Sequence, residues 1–190
     1  MVLVGALATA ATLVAGCSQA EGGSTAPSPG ASAISQERPQ LSPTVENPRD
    51  VREYGDRPCA MFTTEQLTGF GFDIPPSRAL TLPSGNQVCV WIDSRHHGEL
   101  AVTTYPDWDI LERTYLNNAG SPLFEPLRIA GLPAVVQQAG SLPTCNVTVG
   151  LAERQGLDVE FSDLTEPYED PCGAARAAAE VAVGNLPPLE

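Results

Sequence analysis

Gln87-Val88-Cys89-Val90-Trp91-Ile92-Asp93 is the stretch on which the fold turns. β-Branched and aromatic residues fill it, and an Asp closes it, as in a strand. Alternation places Cys89 and Trp91 on one face and Val88, Val90 and Ile92 on the other. Both faces are apolar, which predicts a central strand covered on both sides. Across the loop Asp93-Ser94-Arg95-His96-His97-Gly98, residues Glu99 to Tyr105 read as its antiparallel partner.

Toward the C-terminus, Asp107 is placed to cap a helix running to Asn118, with Asp109 and Glu112 in its first turn, where the helix dipole favours acids. Trp108, Leu111 and Tyr115 recur at helical spacing and define its buried stripe. Further strands are expected over 124–130, 134–138, 145–152 and 157–162. Gly131-Leu132-Pro133 links the first two, and Glu153-Arg154-Gln155-Gly156 turns between the last two. Asp170-Pro171-Cys172 opens a last helix, with Asp as cap and Pro at the first helical position. Ala174, Ala175, Ala178, Val181 and Ala182 give it a small face suited to close approach to a sheet. Arg176 and Glu180 stand four apart on its wet side. Toward the N-terminus, Thr63 and Gln66 fit a capping box for a short helix over 63–69. A loop rich in Pro and Gly is expected from there to residue 86. The whole reads as α+β: a single antiparallel β-sheet of five to six strands, flanked by two or three helices.

Before this domain the composition changes. Residues 18–55 carry Pro27, Pro29, Pro39, Pro43 and Pro48 among Ser, Thr, Gly and acids. Few large apolar residues are available there to bury, so a disordered tether is expected, able to span about 35 Å. Ahead of it, Met1 to Gly16 is apolar but too short for an ordinary membrane span. It ends in Leu13-Val14-Ala15-Gly16-Cys17, which resembles a bacterial lipobox. The organisation expected is therefore a lipoprotein signal peptide over 1–16, lipidated Cys17 and a tether over 17–55, and the folded domain over 56–190. The leader lacks the Lys or Arg that should begin an export signal, which predicts a longer natural leader. The expected address is the outer face of the cell membrane.

The chain has 190 residues and a net charge of −13; its ten basic residues are all Arg. Such an excess of acid repels phosphate backbones, which excludes nucleic acid as a partner. With Cys17 lipidated, Cys59, Cys89, Cys145 and Cys172 remain, an even number that reads as two disulfides in an exported domain. No pair has the close spacing of a zinc knuckle. The simplest pairing ties each helix start to its nearest strand, Cys59 to Cys89 and Cys145 to Cys172; two other connectivities stay open.

Pro58-Cys59, Cys89-x-Trp91, Gly131-x-Pro133-Ala134, Cys145 and Asp170-Pro171-Cys172, followed by the Ala-rich helix ending in Leu186-Pro187, resemble the frame of domain-of-unknown-function 3558, a family of actinobacterial lipoproteins. The resemblance covers the domain and the lipobox. Its one departure is Arg57, inserted between Asp56 and Pro58. It implies an exported, lipid-anchored α+β domain and no reaction.

Catalytic motifs are missing: no Gly-x-Ser-x-Gly elbow, Ser-x-x-Lys, His-Glu-x-x-His or phosphate-binding loop occurs. His96 and His97 are adjacent in an extended loop, so they point apart and read as exposed turn residues, not metal ligands. Asp107/Asp109 and Glu169/Asp170 read as helix caps. Asn146-Val147-Thr148 matches a glycosylation sequon, which a bacterial lipobox argues against. No catalytic residue, metal or cofactor is expected, and no ligand-binding residue is identified. The expected role is a non-catalytic module, membrane-held by its lipid, that recognises another envelope component. The alternative is a carrier of a lipid or small hydrophobic ligand between sheet and helices. A hydrolase is the least supported reading.

Overall fold

A computed structural model describes residues 40–72, 77–93, 98–118, 121–138, 143–162 and 170–190. The elements in chain order are α1 (Thr64–Gly69), β1 (Ser77–Thr81), β2 (Gln87–Ile92), β3 (Glu99–Tyr105), α2 (Ile110–Asn118), β4 (Leu123–Ile129), β5 (Leu132–Gln138), β6 (Thr144–Ala152), β7 (Gln155–Ser162) and α3 (Pro171–Gly184). Short 3-10 turns occupy Arg52–Tyr54 and Pro58–Ala60. The seven strands form one sheet in the order β1-β2-β3-β7-β6-β5-β4, every neighbour antiparallel. Two meanders thus meet at β3 and β7, where Val102 lies opposite Val159.

The local chemistry of the turns explains the pairing. Ala130 and Gly131 both adopt positive φ, 48° and 85°, the backbone of a two-residue hairpin turn whose twist matches the strands. Leu132 and Pro133 therefore belong to β5, paired with Ile129 and Arg128, and not to a linker. At α1 the capping box is complete: the Thr63 N–H donates to Gln66 Oε1 at 2.9 Å, and the Gln66 N–H to Thr63 Oγ1 at 3.2 Å. At α3, Asp170 Oδ1 accepts from the Gly173 N–H at 2.7 Å.

On the first face of the sheet, Cys89, Trp91, Leu100, Val102, Val136, Val147, Val149, Leu157, Val159 and Phe161 form the core beneath α3. Ala175, Ala178, Ala179 and Ala182 are buried against them, so small side chains let the helix approach closely. Disulfides Cys59–Cys89 and Cys145–Cys172 pin the 3-10 turn to β2 and the start of α3 to β6, each across 5.0 Å between Cα atoms.

Several sequence expectations need correction. The described residues form seven strands, because β1 lies within the expected loop. All five of its residues are exposed, so no alternation marks it; pairing with β2 makes it a strand. As a result β2 is second from the edge, and Ile92 on its other face is 37% exposed. Asp109, not Asp107, caps α2, its Oδ1 accepting from the Glu112 N–H at 2.9 Å. Of the aromatic stripe only Leu111 is deeply buried. Trp108 packs edge-on to Tyr105 and Tyr115 to Phe124. Arg176 reaches Glu125 on β4 at 2.8 Å rather than Glu180, because the edge strand offers a carboxylate beside the helix.

The largest correction concerns the domain boundary. Residues 40–55, expected as tether, pack on the domain as a strap. Val51 is fully buried; its N–H donates to Gln155 Oε1 at 2.8 Å. The Arg49 N–H donates to the Leu151 carbonyl, and Pro48 accepts from the Leu189 N–H. Val45 and Val51 supply enough apolar surface to fold back, and Pro48 does not prevent it.

Candidate binding sites beside helix α2

The second face of the sheet carries α2 and two recesses. The first lies between the strap, the start of α2 and the β6–β7 turn. Its lining combines apolar Pro43, Val45, Pro48, Leu111, Ala152 and Leu189 with polar side chains of the strap and the carboxylates of Asp109 and Glu153, around a volume of about 320 Å³. Glu112 holds the strap in place: its carboxylate accepts from the Leu41 and Ser42 N–H groups at 3.0 and 2.7 Å. Burial, chiefly, raises the Asp109 carboxyl above its ordinary range, with Glu112 and Glu153 adding like charge. The lining is thus mainly apolar and carries two carboxylates.

Two glycines set how close α2 sits. Gly150 lies opposite Gly156 in the β6–β7 ladder. A Cβ on Gly150 would stand 2.8 Å from Leu111 Cδ2; one on Gly156 would collide with Ile110 Cγ2 and stand 2.8 Å from the Val149 carbonyl oxygen. Gly156→Ala should therefore lower stability by about 1–3 kcal/mol through overpacking. Gly69→Ala, which meets nothing within 4 Å, should change it by less than about 0.5 kcal/mol. Urea unfolding of the two variants checks this; equal midpoints would contradict it.

The second recess, about 130 Å³, lies under one side of α2. Ile110, Arg113, Thr114 and Asn117 come from the helix, with Gln137 from β5, Thr148 from β6 and Asp158 from β7. Alternation along β7 sends Leu157, Val159 and Phe161 into the core and Asp158 to the second face. Asp158 accepts from Thr148 Oγ1 at 2.8 Å and Asn146 Nδ2 at 3.1 Å. Burial pushes its carboxyl up to about 6, and the Glu160 charge adds to this, while the bonds from Thr148 and Asn146 oppose it. The same hydrogen bond packs the Asn146 side chain against Asp158.

Of the residues singled out in the sequence, Cys59, Cys89, Cys145 and Cys172 are in cystines. Cys17, with the rest of the residues up to 39 for which a signal peptide and tether are expected, lies outside the described residues, as do His96 and His97. Among the described residues no group of three His, Cys, Asp or Glu converges on a point where a metal could sit. Neither recess was visible in the sequence. Leu111 and Asp109 were assigned only to helix packing and capping, and nothing local brings Val45 or Leu189 to them. Asp158 carried one signal, an acid in an alternating strand, but not the helix that encloses it.

Fold and cystines together define a disulfide-stapled α+β domain built on one seven-stranded antiparallel sheet. The chain belongs to the family described as protein of unknown function DUF3558, whose model matches residues 12–185. No curated protein and no solved structure matches the chain.

Proposed function

We propose that this protein is a non-catalytic binding module, held by lipid on Cys17 at the outer face of the cell membrane. Through the recess beneath the strap it recognises another envelope component. The observation that carries this reading is the recess itself: a mainly apolar lining, two carboxylates, and a volume at the lower end of those that hold a ligand group. An apolar side chain flanked by a basic residue fits that chemistry. A small hydrophobic ligand carried in the same recess is the second reading, favoured by the apolar wall and disfavoured by the carboxylates of Asp109 and Glu153.

The test is site-specific photocrosslinking in intact cells from position 45, at the recess, and from exposed position 180 on α3. A discrete adduct from 45, absent from 180 and lost in Cys17→Ala, is expected. Identical adducts from both positions, or none from 45, would refute the assignment.

A further inference from the structure

Asp158 places a carboxylate under α2, and among the described residues no cation forms an ion pair with it. Around it stand Glu160 on its own strand, Thr103 and Tyr105 on β3, Asn146 and Thr148 on β6, Gln137 on β5 and Arg113 on α2. Thr148 and Asn146 each give it one neutral hydrogen bond. Arg113, the one cation in the recess wall, lies over the Trp108 ring at 4.7 Å from its centroid. Charge buried without an opposite charge is costly, and it asks for a cationic donor.

We propose that the recess under α2 is a binding site for a primary ammonium group, with Asp158 as its counter-charge and the oxygens of Thr114, Gln137 and Thr148 as further acceptors. The chain cannot supply the group from a side chain, since its ten basic residues are all Arg. A volume of about 130 Å³ admits an ammonium with one or two methylenes and is too small for a bulky amphiphile. The donor is therefore a small free amine or the end of a lysine side chain from another polypeptide. This site is separate from the recess beneath the strap and stands or falls without it.

The experiment is a carbon-13 NMR titration of the Asp158 carboxyl in the full chain. It is run in methylammonium chloride, in tetramethylammonium chloride at equal ionic strength, and in Nα-acetyl-lysine methylamide. An ammonium that binds only the ionised carboxylate should lower the midpoint by about one unit at tenfold excess over its dissociation constant. Tetramethylammonium, which has no N–H to donate, should not. A response to the lysine derivative as well as to methylammonium points to a protein lysine; a response to methylammonium alone points to a free amine. Asp158→Asn should abolish the amine-specific shifts of Thr114, Gln137 and Thr148. Equal effects of methylammonium and tetramethylammonium would overturn the proposal. So would a rise in the midpoint on Arg113→Gln with no response of the wild type to amine, since Arg113 would then be the counterion. The wild-type titration decides whether or not the variants fold.

Discussion

Replacing Cys145 and Cys172 together by Ala should cost about 3–4 kcal/mol of folding stability. The bridge closes a sequence separation of 27 residues, so its loss frees the unfolded chain by roughly that amount. It also ties α3 to the centre of the sheet. Because α3 is seated largely through Ala175, Ala178, Ala179 and Ala182, its packing gives little apolar area per residue, and the cystine carries an unusual share of its attachment. A domain of this size has about 5–15 kcal/mol in total, so the variant should keep its fold only with a narrow margin. In urea the midpoint should fall by about 1.5–2 M at an ordinary slope. A shift under about 0.5 M would mean that the cystine is ornamental.

The second large effect concerns Asp158. Its folded-state carboxyl titrates near 6, against 3.8 for an ordinary Asp, with burial as the leading cause. A raised folded value means that the native state holds the proton more tightly than the unfolded chain does. Below about 4 both states are protonated and nothing is lost; as pH rises from 4 through 6 the native state loses stability relative to the unfolded one. Above that window the penalty is constant, about 2–3 kcal/mol. Asp158→Asn removes the charge and keeps the shape, so it should be more stable than the wild type at pH 8 and nearly equal to it at pH 4. Thermal or urea unfolding at the two values reads this directly. A variant destabilised equally at both pH values would show that the carboxylate is satisfied as it stands.

What the residues announced in advance, and what they concealed, divides along one physical line. Features fixed by chemistry within a few positions were legible. Thr63 with Gln66, Asp170 with Pro171, and the alternation that sets Cys89 and Trp91 on one face all specify their surroundings locally. The local cystine pairing is the simplest of three connectivities, because Cys59 and Cys172 stand at helix or turn starts and Cys89 and Cys145 in strands; the structure selects it. Features fixed only by distant contacts were hidden. β1 has no buried face, so pairing alone defines it. Val51 sits in a stretch whose prolines signal disorder, and its burial comes from distant contacts at the β6–β7 turn, including the bond to the Gln155 side chain. The recesses belong to the same class: Val45, Leu111 and Leu189 meet across most of the domain. Asp158 is an unremarkable acid until Thr148, Asn146 and α2 close around it.

The proposed role rests on an oxidised domain tethered outside the cytoplasm by lipid, and intact mass analysis of protein drawn from native membranes without reduction tests it most directly. Expected is a chain beginning at Cys17 with added acyl mass, yielding peptides in which Cys59 is joined to Cys89 and Cys145 to Cys172. A chain that retains residues 13–16 ahead of an unmodified Cys17 thiol would contradict it.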